Sequence, residues 1–342
     1  MEYSNVIIIA EAGVNHNGEI DLAKKLIDVA AVAGADYIKF QTWITEELID
    51  FDAPKATYQK ENDGEDTSQY EMLKKLELSF DDFRELKSYC EQKKIKFLST
   101  PDEERSLDFL CDELMVDIIK IGSGEITNIP FLKQVGLKKK DVILSTGMSN
   151  IGEVERAYNE LICNGAKSVT LLHCTSNYPA SFDSINLKAM NTLGLAFNTF
   201  VGYSDHTEGI SVSLAAVALG AKVIEKHFTL DKGMKGPDHK ASMSPLELAM
   251  LVSEIRNIES ALSGSGAKVI TSSEKETKKV VAKGLYLKED LKEGDILSEN
   301  ILIAKRPIKG IPVEQYYSCL GKRVNKNKNK GEFLTWSDIS FE

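Results

Sequence analysis

The feature that most constrains the fold is a rhythm. From the start of the chain to about residue 262, short apolar runs rich in β-branched residues alternate with helix-length segments, and the pattern repeats eight times. The runs are Val6 to Ala10, Tyr37 to Gln41, Ile95 to Ser99, Ile118 to Ile121, Val142 to Ser145, Val169 to His173, Thr199 to Tyr203 and Lys222 to Phe228. Between them the spacing turns helical: Leu22, Leu26, Val29, Ala30 and Ala33 lay an apolar stripe along one helix face. Eight such units predict an α/β fold, a parallel (β/α)8 TIM barrel, which takes about 250 residues. An open doubly wound sheet is the competing arrangement, but no Gly-x-Gly-x-x-Gly follows the first run. The excursion from Thr42 to about Ser79, polar from Lys60 to Gln69, predicts a surface loop of the kind that forms lids and binding loops.

Composition narrows the class. A 42% hydrophobic content fills an ordinary core, and a formal charge of −10 argues against nucleic acid or an anionic membrane as partner. Val6 to Ala10 follows Glu2 and is cut off by Glu11, so neither a signal peptide nor a membrane span is expected there. Five scattered cysteines without a Cys-x-x-Cys predict no disulfide frame and no thiolate zinc site, and fit a cytoplasmic protein.

The ends of the eight runs carry the chemistry. Glu11 follows the first; Lys39 and Gln41, two apart and so on one face, close the second. Ser99 and Thr100 close the third, and the fourth leads into Lys120, Ser123 and Glu125. Ser145 and Thr146 end the fifth, and His173, Thr175, Ser176 and Tyr178 follow the sixth. Ser204, Asp205 and His206 end the seventh; Glu225 and His227 end the eighth. Any one polar end is explained by turn or capping chemistry, but eight together predict an active-site rim, which is where function sits in this fold. Lysines and hydroxyls suit a phosphate or carboxylate. Glu11, Glu125 and Asp238 suit sugar hydroxyls or proton transfer. His206 and His227 are either hydrogen-bonded rim residues or the ligands of a divalent ion with open positions.

After Leu262 the composition changes. The barrel is assigned to residues 1–266, a polar linker to 267–283 and a small β-rich module with little core of its own to 284–342. The basic stretch from Lys326 to Lys330 is expected to be a solvated loop.

Several runs together resemble one family. They are EAGVNHNG (Glu11 to Gly18), KFQT (Lys39 to Thr42), KIGSGE (Lys120 to Glu125), LSTGM (Leu144 to Met148), SDHT (Ser204 to Thr207), EKHFTLDK (Glu225 to Lys232) and GPDH (Gly236 to His239). In this order they are similar to those of bacterial sialic acid synthases, and Lys288 to Pro307 resembles the antifreeze-like SAF domain (a β-clip) that completes them. The resemblance implies condensation of phosphoenolpyruvate with the open-chain aldehyde of an N-acetylated hexosamine, with entry of water and release of phosphate. It implies Mn²⁺ or Mg²⁺ on His206 and His227, and Glu11, Lys39 and Glu125 as catalytic groups. Phosphoenolpyruvate would lie against Lys39, Thr100, Lys120, Ser123, Ser145, Ser176 and Ser204, and the sugar against Gln41, Glu125, Tyr178 and Asp238. It also implies a homodimer in which Arg306 of the SAF domain reaches the partner's barrel.

Two positions depart from the family pattern. Asp102 follows Ser99-Thr100-Pro101 where an aromatic is common, and Ser176 stands where some relatives carry asparagine. N-acetylmannosamine, giving N-acetylneuraminate, is the first expectation for the acceptor. A 2,4-diacetamido-trideoxy hexose, giving legionaminic or pseudaminic acid, is the alternative. Two readings from other classes are a Schiff-base aldolase using Lys120 and a non-catalytic carbohydrate- or ice-binding protein.

Overall fold

The computed structural model describes residues 3–55 and 67–340. It divides into two compact units, one ending at Ser263 and the other beginning at Gly264.

In the first unit eight parallel strands lie in the order β3-β2-β1-β8-β7-β6-β5-β4. They are β1 (Ile7–Gly13), β2 (Tyr37–Thr42), β3 (Lys96–Pro101), β4 (Ile118–Ile121), β5 (Asp141–Ser145), β6 (Ser168–Cys174), β7 (Val201–Asp205) and β8 (Val223–His227). The ends of that order, β3 and β4, run side by side and close the ring. The principal helices between and after them are α1 (Ile20–Ala33), α2 (Phe80–Lys93), α3 (Glu104–Asp108), α4 (Ile129–Leu137), α5 (Ile151–Cys163), α6 (Ala189–Phe197), α7 (Ser211–Ala218) and α8 (Pro245–Leu262). This is the expected barrel.

The strand alternation sorts the side chains. Outward residues such as Ile8, Ala10, Ile38, Ile119 and Ile224 pack with Leu26, Leu86, Leu132 and Leu251 of the helices. Inward, Ile9, Tyr37, Leu98, Ile118, Ile143, Leu172 and Val223 form an apolar floor. Two residues further along each of these strands the inward position turns polar: Glu11, Lys39, Thr100, Lys120, Ser145, Cys174 and Glu225. On β7 the floor position is Gly202, where a Cβ would stand 2.7 Å from Leu172 Cδ2, and Ser204 follows. Strands β1, β3 and β7 run past the expected ends because these polar residues continue the period of two into the barrel mouth.

The excursion after β2 is more ordered than expected from its polarity. It carries short helices at Thr45–Leu48 and Gln69–Leu76, and Trp43, Met72 and Leu76 pack with Val14 in a buried satellite cluster. Of the polar middle, Lys60 to Asp66 lie outside the described residues.

The second unit also differs from expectation. The stretch read as a linker contains a helix, α9 (Ser272–Val281), started by a capping box from Thr271 and Glu274. Strands β9 (Gly284–Leu287) and β10 (Leu302–Lys305) pair antiparallel. Leu285, Leu287, Leu291, Leu297, Leu302 and Ile311 belong to a core of this unit's own. Within the basic stretch, Lys326 and Lys328 pair with buried Asp338 at 2.7 and 3.2 Å, so those charges are structural.

Candidate active site

The inward polar residues surround a cavity of about 690 Å³ at the carboxyl ends of the strands. Glu11, Lys39, Gln41, Thr100, Lys120, Ser123, Ser145, Ser176, Tyr178, Ser204, His206 and His227 all line it. Glu125 and Asp238 do not: Glu125 accepts from Asn128 Nδ2 at 2.6 Å, and the backbone carbonyl of Asp238 accepts from Ser242 Oγ at 2.7 Å. Arg306 is an exposed residue of the second unit.

Charge alternates across the floor of the cavity. Glu11 Oε1 lies 2.8 Å from Lys39 Nζ, and Glu225 lies 3.9 Å from Lys39 and 3.4 Å from Lys120. Lys39 donates to Thr100 Oγ1 at 3.1 Å, Lys120 to Ser145 Oγ at 2.7 Å and Ser204 Oγ to Glu225 Oε1 at 3.0 Å. The two carboxylates are driven apart. Burial pushes Glu11 up to about 8 against the pull of Lys39. Glu225 is buried as well, but the charges of Lys120 and Lys39 together hold it down at about 2. One carboxyl is therefore a proton carrier near neutrality while the other stays an anion. Burial lowers Lys120, partly against the pull of Glu225.

A second group of donors sits beside Lys120. Ser123 Oγ accepts from Gly147 N–H at 3.0 Å and lies 3.2 Å from Cys174 Sγ. A Cβ at Gly147 would stand 2.3 Å from Ser176 Oγ and 2.9 Å from Ser123 Oγ. Glycine at 147 thus lets the Ser123 and Ser176 hydroxyls close over the backbone, and both line the cavity near the Lys120 ammonium group, a fit for an oxyanion.

The histidines, after β7 and β8, continue the wall from Ser176. Their ring centroids are 5.7 Å apart, and the Tyr178 ring packs at a tilt 4.1 Å from His206. His206 Nδ1–H donates to Thr175 O at 2.7 Å, which leaves Nε2 with a lone pair. Among the described residues His227 Nδ1 is buried without a hydrogen-bond partner. Burial lowers both imidazoles, His227 well below its usual range, so both are neutral as a metal ligand must be. Among the described residues no group of three or more His, Cys, Asp or Glu is arranged around a metal position. The pair therefore fits an exchangeable divalent ion that completes its shell with water or substrate.

Not every polar strand end belongs to the site. Ser99 faces outward to Thr42 Oγ1 at 2.7 Å, His173 Nε2 reaches Ile185 O at 2.7 Å, and Asp205 pairs with buried Lys226 at 3.0 Å. Conversely, Cys174 enters the cavity alongside the expected Glu225, as do Asn177 and Met148 from loops and Gln69 from the start of its short helix. Period-two counting from Leu172 and Val223 finds Cys174 and Glu225 in the sequence, whereas the loop residues carry no periodic signal.

Asp102 lies on the cavity wall, where burial first and Glu125 second push it up to about 7. A carboxyl raised in the folded state stabilises the fold while protonated, and this contribution is lost as pH rises through about 7. The melting temperature of Asp102→Asn is accordingly expected to gain on that of the parent between pH 5 and pH 8. A difference constant across that range would show that Asp102 titrates normally.

Residues 26–268 match the NeuB family and residues 282–340 match the SAF domain. The chain is 52% identical to the N,N'-diacetyllegionaminic acid synthase of Campylobacter jejuni over 330 residues, 96% of this chain and 98% of that one. It is 46% identical to the N,N'-diacetyllegionaminic acid synthase of Legionella pneumophila, over 97% of this chain and 94% of that one. Among solved structures, the N-acetylneuraminic acid synthetase of Leptospira borgpetersenii, in complex with citrate, is 38% identical with a TM-score of 0.69, covering 80% of this chain and 90% of that chain.

Proposed function

The chain belongs to the NeuB family, and from that premise we propose that it condenses phosphoenolpyruvate with a 2,4-diacetamido-trideoxy hexose, giving a legionaminic acid and phosphate. The observation that carries the choice of acceptor is the higher identity to two legionaminic acid synthases than to the Leptospira N-acetylneuraminic acid synthetase. It moves the acceptor away from N-acetylmannosamine, the first expectation from sequence. Family membership likewise favours condensation over a Schiff base on Lys120. The test is steady-state phosphate release with each acceptor in the presence of Mn²⁺. The 2,4-diacetamido sugar should have a kcat/KM at least about tenfold higher, the range a site reading one polar group commonly gives. Preference for N-acetylmannosamine would refute the assignment.

The charges in the cavity suit this reaction. The oxyanions of phosphoenolpyruvate match Lys39, Lys120, Ser123, Ser145, Ser176 and Ser204, and the Ser123 and Ser176 hydroxyls, drawn together over Gly147, cradle part of the phosphate. The methylene carbon attacks the aldehyde carbon, a carbon–carbon bond forms, and the carbonyl electron pair moves to oxygen, which takes the proton of Glu11. The Glu11 carboxylate so formed takes a proton from water as its oxygen bonds to the former enol carbon. That carbon then expels phosphate by carbon–oxygen cleavage, and its hydroxyl proton leaves to give the keto acid. Glu225, an anion throughout, holds the ammonium groups of Lys39 and Lys120 toward the substrate. A divalent ion held by His206 and His227 would supply Lewis acidity to the aldehyde oxygen when bound.

Gly147→Ala tests the cradle. A methyl group there meets two hydroxyls at less than van der Waals distance, so KM for phosphoenolpyruvate should rise about tenfold or more while KM for the sugar changes little. An unchanged phosphoenolpyruvate KM would move the phosphate elsewhere.

The same reading gives Arg306 a role on the sugar bound by a second chain of a homodimer. Mixing inactive Glu11→Gln with inactive Arg306→Ala should then restore activity as subunits exchange, because one site of the mixed dimer combines two intact contributions. No recovery after demonstrated exchange would rule this out.

A further inference from the structure

The cavity rim holds one carboxylate that the chemistry above leaves unused. Asp102 stands two residues beyond Thr100, and its backbone N–H donates to Thr42 O at 3.1 Å. Among the described residues its side chain has no hydrogen-bond or ion-pair partner, although it lines the cavity. Gln41 lies on the neighbouring strand, paired in register with Thr100, and lines the same wall. Beyond Thr100 on the other side is Gly122, where a Cβ would meet only Thr100 Cγ2 at 3.9 Å, so the space in front of the wall is open.

Three considerations decide what this wall receives. The first is charge: Glu125 is close enough to raise the proton affinity of Asp102. A carboxyl group offers no cationic donor to the phosphate and carboxylate of phosphoenolpyruvate, which the neighbouring Lys39 and Lys120 and the hydroxyls receive, so the neutral sugar meets Asp102. The second is desolvation. A carboxylate withdrawn from water without a partner is costly, and an arriving N–H or O–H removes that cost. The third is distance. Strands β3 and β8 are three steps apart in the ring, each step about 4.8 Å. With the aldehyde end at the His206 and His227 wall, the group at Asp102 is not the substituent beside the aldehyde carbon but one further along the sugar.

We propose that Asp102 is the specificity-determining residue for the acceptor, its carboxylate accepting the N–H of the acetamido group on the fourth carbon of the 2,4-diacetamido-trideoxy hexose. Gln41 beside it is placed to donate its amide N–H to the carbonyl of that same group. N-acetylmannosamine carries a hydroxyl at this carbon, which can donate to Asp102 but brings no carbonyl to Gln41. The inference rests on the acceptor assigned above and names the residue that reads it.

The experiment compares kcat/KM for the 2,4-diacetamido sugar and for N-acetylmannosamine in the parent, Asp102→Ala and Asp102→Asn. Asp102→Ala should lower the ratio of the two about ten- to a hundredfold, the range for losing a hydrogen bond to a charged group. The change should appear in the acceptor KM and leave the phosphoenolpyruvate KM within about twofold. Asp102→Asn keeps the volume and one acceptor oxygen, so it should shift the ratio the same way by a smaller factor of about three to ten. It decides the matter by the same ratio if the alanine variant does not fold. A parent that prefers the 2,4-diacetamido sugar, with an unchanged ratio in the variants, overturns the role of Asp102 alone. A parent that prefers N-acetylmannosamine overturns the acceptor and the inference together.

Discussion

Replacing Glu11 with glutamine is expected to lower kcat by ~10²–10⁴ while KM for phosphoenolpyruvate changes little. β1 carries Ile9 inward onto the apolar floor and Glu11 two residues higher, in register with Lys39 on one side and His227 on the other. Burial raises its carboxyl to about 8, so it holds a proton at neutral pH where an exposed glutamate would not. Glutamine keeps the shape and hydrogen-bonding capacity but cannot give the proton up. The measurement is a full kinetic comparison with both substrates varied. A collapse in phosphoenolpyruvate affinity with turnover preserved would make Glu11 a binding residue through Lys39.

Removal of divalent metal is expected to abolish turnover, and Mn²⁺ or Mg²⁺ to restore it. Among the described residues two neutral imidazoles line the proposed metal position, so an ion there would be held weakly and exchange readily. His206→Ala and His227→Ala should each lose most of the activity. Calorimetric titration with Mn²⁺ gives a readout independent of catalysis: the parent should show one site and both variants none. Full activity in chelator, or Mn²⁺ binding that survives both substitutions, would remove the metal from the account.

The barrel was legible because its signal is repetitive. Eight apolar runs separated by helical periodicity leave few arrangements, and the polar residue two places above each apolar floor residue is visible in strings such as Ile9-Ala10-Glu11 and Ile118-Ile119-Lys120. Direction was harder to read. Ser99, His173 and Asp205 stand at strand ends like the site residues, yet face outward, because a shift of one position moves a side chain to the other face. Met148 and Asn177 reach the cavity from loops that no periodicity describes. The core of the terminal unit was missed for a similar reason: Leu285, Leu297, Ile311 and Leu334 are far apart in a chain of short bridges and gather only in three dimensions. The separation of Glu11 from Glu225 could not be read at all, since it depends on which carboxylate lies between both lysines.

The choice of acceptor turns on a single wall of the cavity, whereas the chemistry turns on its floor. Asp102 can therefore change what the enzyme accepts without touching Lys39, Lys120 or Glu11, and the two kinds of substitution should be separable in kinetics.

The proposed reaction joins phosphoenolpyruvate to a sugar aldehyde with cleavage of the carbon–oxygen bond to phosphate. Phosphoenolpyruvate labelled with heavy oxygen at the bridging position tests this most directly, read by mass spectrometry of both products after incubation with the 2,4-diacetamido sugar and Mn²⁺. Heavy oxygen is expected in the released phosphate and none from the bridge in the nonulosonic acid. Label retained in the acid, or phosphate formed without a condensed product, would contradict it.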